Sequence, residues 1–178
     1  MVEDPIGLKD LTWDKILMAL LRLGMGLTWL WAFFDKLLGL GFATTPENAW
    51  LAGGSPTQGY LSFVIAEKPL GAIISDILVP MYPLVDIALM GMLLIVGVAL
   101  ILGVFTRIGS ILGIIFMLSI AIASWPFANH PFIDDHIIYT LILLLFIVLP
   151  VGKWIGLGNW WSEFVTNTLG EQWLKYLI

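Results

Sequence analysis

The sequence contains no cysteine, which excludes disulfide bonds, thiolate catalysis, cysteine-ligated iron–sulfur clusters and covalently attached haem. Charged residues are also scarce: they make up 12 % of the chain, whereas soluble domains carry about 25 %. Histidine occurs only twice, at His130 and His136. The formal net charge of −5 argues against a nucleic-acid partner.

Apolar residues make up 60 % of the chain, and its mean hydropathy is +0.97. We therefore predict an all-α integral membrane protein, with residues 1–178 forming a single membrane domain in a lipid bilayer. Four apolar stretches have about the length that a membrane crossing needs. They predict a bundle of four transmembrane helices at about residues 16–40, 83–104, 108–125 and 134–150.

Two other segments are too polar to cross a membrane and too apolar for ordinary loops. Residues 41–82 contain two Ser/Thr-Pro sequences typical of helix starts, Thr45-Pro46-Glu47 and Ser55-Pro56-Thr57. This pattern predicts short interfacial helices that form an outer lid. Residues 153–178 contain four tryptophans among polar residues, which predicts a C-terminal amphipathic segment lying in the membrane interface.

The distribution of Lys and Arg predicts the topology. Four crossings place both termini on one side, and that side holds five loop or terminal cations against two on the other. Positive charge accumulates on the cytoplasmic side of membrane proteins. We therefore expect a multi-pass protein of the cell membrane with both termini cytoplasmic and the lid outside.

The first predicted crossing carries Arg22, Trp29 and Lys36 on one stripe of a helix, because residues advance by about 100° each. Asp35 points away from that stripe. Arg22 could snorkel toward the near interface. Alternatively, the stripe faces the bundle interior, where Arg22, Trp29 and Lys36 offer donors to a headgroup or to the carbonyl of a cofactor.

A polar cluster stands at the start of the fourth predicted crossing, with Asp134, Asp135, His136 and Tyr139 within six residues. Ionisable groups at a membrane surface are costly and usually functional, although acids also favour a helix N-terminus. The topology places this cluster and Lys36 on the same outer side. We therefore predict a coupled outer site of Lys36, Asp135, His136 and Tyr139, with an ion pair between Lys36 and Asp135 if the two helices are neighbours.

Haem and metal ions are the competing ligands for the two histidines. His130 lies in a loop beside Pro131, and His136 follows six residues later at a helix start. Bis-histidine haem ligation needs two imidazoles that face each other across a gap, so we do not expect haem. We expect no metal site either.

Three separated motifs resemble the DoxX family of small membrane proteins, and the archaeal members most. The first motif is Arg22-Leu23-Gly24 with Trp31 and Asp35-Lys36. The second is Gly41-Phe42-Ala43 followed by Trp50 to Thr57 and Gly59-Tyr60-Leu61, and the third is Asn129 to Tyr139. The ending Leu174-Lys175-Tyr176-Leu177 is also similar. This resemblance covers about residues 16–160 and implies a four-helix membrane bundle.

The family takes its name from the membrane subunit of a thiosulfate:quinone oxidoreductase. The resemblance therefore implies a quinone-linked oxidoreductase subunit that passes electrons from a small sulfur compound such as thiosulfate to quinone, with a partner redox subunit. However, the sequence encodes no redox group, and its acid-rich outer side repels a divalent anion. A non-catalytic accessory or assembly subunit of a larger membrane redox complex, or of a homo-oligomer, is the alternative, and both functions remain open at this stage.

Overall fold

A computed structural model of the chain describes residues 11–128 and 130–169, and within these ranges all regular structure is helical. The α-helices there are α1 (Trp13–Leu38), α2 (Pro69–Leu78), α3 (Tyr82–Leu102), α4 (Thr106–Ser124), α5 (Asp135–Val148), α6 (Val151–Trp154) and α7 (Gly158–Phe164). Short 3₁₀ turns lie at Pro46–Asn48, Trp50–Ala52 and Val79–Met81, and π-helical turns at Tyr60–Val64 and Val165–Leu169.

Three helical segments of the described chain are long and apolar enough to cross a membrane: Trp13–Leu38, Pro69–Leu102 and Thr106–Ser124. Large apolar side chains on these helices point outward, among them Leu27, Ile87 and Ile115, each about 60 % exposed. Such a surface is stable in hydrocarbon and unstable in water. The prediction of an all-helical fold is confirmed for the described residues, and three of the predicted membrane-length helices form.

The second and fourth predicted crossings differ from the helices that form. The second begins earlier, because α2 continues through the 3₁₀ turn Val79–Met81 into α3 and gives one segment of 34 residues. The fourth is shorter, because α5 has only 14 residues and stops just before Pro150. At 1.5 Å per residue, α5 spans about 21 Å, which is less than a hydrocarbon core of about 30 Å.

The long helices pack in chain order, α1 on α3, α3 on α4 and α4 on α5. Glycines allow the close approaches. Gly26 contacts Ile101 and Gly97 contacts Leu30 between α1 and α3, while Gly109 lies against Ala99 between α3 and α4. The main buried apolar cluster draws on α1, α3, α4 and α5 and includes Trp29, Met90, Leu93, Val96, Leu100, Met117, Leu143 and Phe146.

The end of the helices that holds the α3–α4 turn and α6 is called here the inner end, and the opposite end is the outer end. At the inner end the guanidinium of Arg22 is fully buried, and its Nη2 donates a hydrogen bond to the carbonyl of Ile155. The backbone N–H of Leu157 donates to the carbonyl of Leu102, at 2.8 Å. Arg22 thus faces the interior, as the stripe predicted, and the snorkelling interpretation is wrong.

An aromatic cluster covers part of the inner end. The ring of Phe105, between α3 and α4, packs edge-on against Trp161 of α7 at 4.8 Å between centroids. Trp160 stacks on Phe164 at 5.6 Å. The predicted amphipathic segment 153–178 thus consists, as far as Leu169, of short helices interrupted at residues 155–157, with three tryptophans. Its remaining residues, 170–178 with Trp173 and the Leu174–Leu177 ending, lie outside the described residues.

We predict that Gly103→Ala destabilises the fold by about 1–3 kcal/mol, because a side chain at positive φ is strained. Gly103 has φ +74°, and an added Cβ would meet the Arg22 guanidinium and lie 2.9 Å from the Gly152 carbonyl oxygen. The thermal unfolding midpoint in detergent measures the effect. Gly91→Ala is the matched control, since nothing lies within 4 Å of that position. Equal midpoints for the two variants would contradict the prediction.

Candidate functional site

Two buried carboxylates position the chain at the outer end. Asp35, near the end of α1, is 2 % exposed and accepts hydrogen bonds from the backbone N–H groups of Phe42 (3.3 Å) and Ala43 (3.0 Å). Gly39 ends the helix in the left-handed conformation. Asp35 lies off the Arg22 stripe, as predicted, and its carboxylate holds the turn that leads out of α1.

Asp86 of α3 anchors the middle of the 41–68 segment. Its side chain is 3 % exposed, and one oxygen accepts three hydrogen bonds: from the Ser55 hydroxyl (2.9 Å), the Thr57 N–H (3.0 Å) and the Thr57 hydroxyl (2.5 Å). The Ser55 oxygen in turn accepts from the N–H of Gln58, at 3.0 Å. Ser55 therefore begins a helical turn, as predicted, and also ties that turn to α3.

Further hydrogen bonds join this outer part of the chain to α2 and α4. Tyr60 and Ser124 share a hydrogen bond of 2.7 Å, and the Ser75 hydroxyl of α2 donates to the Leu61 carbonyl at 2.9 Å. The Lys68 ammonium donates to the Pro126 carbonyl, at 2.9 Å. Burial, aided by the charge of Asp134, raises the pKa of Tyr60 above its ordinary value of 10, so its hydroxyl stays protonated at neutral pH.

These contacts border a cavity of about 550 Å³ at the outer end, which is in the size range of small-molecule sites. Its wall is mostly apolar, and α1, α2, α3, α4, α5 and the 41–68 segment all contribute to it. Its floor contains Trp29 and Phe116, whose ring centroids lie 5.7 Å apart. The apolar lining also includes Ala32, Leu61, Ile65, Ile74, Leu78, Val85, Leu89, Met92, Leu93 and Met117.

Lys36 of α1 and His136 and Tyr139 of α5 are polar side chains that line this cavity. Four hydroxyl side chains line it as well but hydrogen-bond within the protein: Thr28, Thr57, Tyr60 and Ser119. No Asp or Glu in the described ranges lies within 4.0 Å of the Lys36 ammonium. The Nδ1 atom of His136 lies 2.6 Å from Oδ2 of Asp134. This contact fixes the imidazole and leaves Nε2 as the nitrogen available to a ligand.

The predicted site residues fall into two groups. Trp29, Lys36, His136 and Tyr139 all line the cavity. Arg22 does not, because it lies 14 positions before Lys36 on α1, or about 21 Å along the helix, and binds the backbone of the inner end.

Asp135 does not line the cavity either, and its side chain is 69 % exposed. The predicted ion pair between Lys36 and Asp135 is not formed; Oδ1 of Asp135 lies 3.5 Å from Nδ1 of His136 instead. The physical reason is the start of α5. Asp134 is its N-cap and accepts from the Ile137 N–H at 3.2 Å, so Asp135 becomes the first helical residue and turns outward.

The other histidine, His130, forms hydrogen bonds with the backbone. Nδ1 of His130 accepts hydrogen bonds from the N–H groups of Phe132 (3.1 Å) and Ile133 (3.0 Å), and its side chain is exposed. One potential ligand atom from each of Asp134, Asp135 and His136 lies within 4.8 Å of the others. Asp134 is nevertheless already committed to the helix cap and to the imidazole.

The sequence interpretation missed Thr57, Tyr60 and Asp86. Asp86 is an isolated charge near the start of the second predicted crossing, and its partners lie about 30 positions earlier. A buried carboxylate predicts that donors will surround it, but the sequence does not say which residues supply them.

No protein-family model, curated protein or solved structure matches this chain.

We predict that Asp86→Ala loosens the 41–68 segment, with Asp86→Asn intermediate because its remaining oxygen still accepts. Hydrogen bonds to a charged group contribute about 1.5–3 kcal/mol each. Amide hydrogen exchange at residues 55–65 should therefore become at least tenfold faster in Asp86→Ala. Asp76→Ala is the control, since that acid is exposed on α2. Unchanged exchange in the Asp86 variants would show that this carboxylate does not hold the segment.

Proposed function

We propose that this protein is a membrane subunit of a quinone-linked oxidoreductase and that the outer cavity binds the quinone head. The observation that carries the proposal is the cavity itself, an apolar space of about 550 Å³ on which Lys36, His136 and Tyr139 converge. A quinone is a flat apolar ring with two carbonyl acceptors. An apolar slot with a few donors is therefore the site that it needs.

The polar groups have distinct roles in this proposal. The Lys36 ammonium and the Tyr139 hydroxyl donate to the carbonyl oxygen, and their hydrogen bonds strengthen as negative charge develops there during reduction. His136, oriented by Asp134, transfers a proton through Nε2, because an imidazole nitrogen can both accept and donate a proton. Reduction of quinone to quinol takes two electrons and two protons. Oxidation of two thiosulfate ions to tetrathionate supplies the two electrons, through a partner redox subunit.

The proposed architecture follows the resemblance to the DoxX family. α5 completes a four-helix bundle with α1, α3 and α4, and the 41–68 segment acts as a lid over the cavity. Both termini are cytoplasmic, so the lid and the cavity lie in the outer half of the membrane. The packing of α1 on α3, α3 on α4 and α4 on α5 supports this arrangement.

A non-catalytic accessory or assembly subunit is the second candidate, and the charge at the outer end favours it. Glu47, Glu67, Asp76 and Asp135 are exposed there, whereas Lys36 lines the cavity. This surface does not attract a divalent sulfur anion. Purification with a defined redox complex but no bound quinone would establish this function in place of the first.

We predict that Lys36→Met weakens quinone binding at least tenfold, because it removes the charged donor and retains the length of the side chain. Quenching of tryptophan fluorescence by a short-chain benzoquinone measures the affinity, and Trp29→Phe identifies the part that arises in the cavity. Lys153→Met, at the inner end, is the control. Equal affinity in wild-type protein and Lys36→Met would remove Lys36 from the site, and wild-type protein that binds no quinone would overturn the proposed function.

The topology has a separate test, because the chain has no cysteine of its own. Single cysteines at Ser55 and Ser162 should react with a membrane-impermeant maleimide from opposite sides. We expect Ser55→Cys to label in intact cells and Ser162→Cys to label only after the membrane is opened. Labelling of both variants in intact cells would contradict the proposed orientation.

A further inference from the structure

We propose that the cavity opens sideways into the bilayer through a window between the outer halves of α3 and α4, and that a hydrocarbon chain of the ligand passes through it. This inference rests on the proposed function for the identity of the ligand head. It extends that function, because it assigns the ligand class and the route of entry. The ligand is an amphiphile that comes from the lipid phase.

The inner halves of α3 and α4 are closely packed. A Cβ on Gly109 would lie 3.0 Å from Cβ of Ala99, and a Cβ on Gly113 would lie 3.6 Å from a methyl group of Val96. These contacts fix an antiparallel register between the two helices. Continued toward the outer end, the same register places Ala88 of α3 level with Ile120 and Ala121 of α4, next to Ser119.

The outer halves do not seal the cavity. Ala88 and Ser119 both line it, and both are exposed. On each helix the preceding residue, Ile87 or Leu118, is a large apolar side chain that is exposed and does not line the cavity. Ala88 and Ser119 therefore stand at the border between the cavity and the outer surface. Thr28 of α1 is the one other exposed lining residue in the described ranges, and its hydroxyl donates to the carbonyl of Gly24 on its own helix. The side chains of Ala88 and Ser119 are small, and the pair frames the window beneath α2, whose residues Ile74 and Leu78 line the cavity as well.

The window suits hydrocarbon and not water. The Ser119 hydroxyl donates to the carbonyl of Phe116 on its own helix, at 2.7 Å, so it offers no free donor to a passing polar group. Ser119 lies five residues before the end of α4, or about 8 Å along the helix axis. At that depth the exposed surface of a crossing helix faces acyl chains. The window therefore admits an alkyl or isoprenoid chain.

The two ends of the cavity match the two ends of such a ligand. The head contacts Lys36, His136 and Tyr139 on α1 and α5, while the chain leaves between α3 and α4. A quinone with an isoprenoid tail and a bilayer phospholipid with an acyl chain both supply the hydrocarbon. These two sources require separate arms in one experiment.

The experiment compares two window variants, Ala88→Phe and Ser119→Phe, with two controls, Ile87→Phe and Leu118→Phe. The control positions are lipid-facing neighbours that do not line the cavity. Affinities are measured in nanodiscs for a tail-less benzoquinone and for the same head with a decyl chain. We expect the window variants to lose at least tenfold in affinity for the decyl compound while binding the tail-less one within twofold of wild-type protein. Decyl affinity equal to that of the controls would overturn the window.

A second arm is independent of quinone. Phospholipids with brominated acyl chains quench nearby tryptophan, and the difference between wild-type protein and Trp29→Phe isolates the quenching of Trp29. If wild-type protein binds neither quinone, the proposed function fails, yet the window is still tested. Quenching of Trp29 that is lost in the window variants would establish entry of lipid chains, and no quenching of Trp29 in wild-type protein would overturn the window too.

Discussion

The hydrogen bonds from Ser55 and Thr57 to the carboxylate of Asp86 are the interaction on which the outer end of the protein depends. A buried carboxylate without donors would be very costly in an apolar surrounding. Asp86 therefore requires the 41–68 segment to stay closed over α3, and this segment in turn supplies Pro56, Thr57, Tyr60, Leu61 and Ile65 to the cavity wall. The outer cavity therefore depends on the hydrogen bonds that the buried Asp86 carboxylate requires.

The same solution recurs elsewhere in the chain. Arg22 donates to a backbone carbonyl, Asp35 accepts from two backbone N–H groups, and Asp86 accepts from a backbone N–H together with two hydroxyls. Within residues 11–128 and 130–169, none of these three charges has an oppositely charged partner within 4.0 Å. Each one ties a loop to a helix, so charge in this protein fixes the connections while apolar packing holds the helices. Lys36 differs, because its side chain enters a cavity.

Apolar run length was sufficient to predict the long helices, and helical periodicity was sufficient to predict the inward direction of Trp29 and Lys36, because these properties are local. Whether Lys36 and Asp135 form an ion pair could not be predicted from local periodicity. Whether it forms depends on which residue caps α5, and the cap of Asp134 turns Asp135 outward. The length of α5 was overestimated, because apolar residues continue up to Pro150 while the helix stops earlier. The cavity could not be predicted from the sequence, because six separate segments of the chain form its wall.

The cap of α5 has a consequence for recognition. Asp134 uses one carboxylate oxygen for the backbone of Ile137 and the other for the ring of His136. Rotation of the imidazole would therefore disturb the first turn of the helix. The rotational entropy of this side chain is lost when the protein folds and not when a ligand arrives. A ligand that uses Nε2 consequently meets a preorganised partner and keeps more of its interaction free energy as affinity.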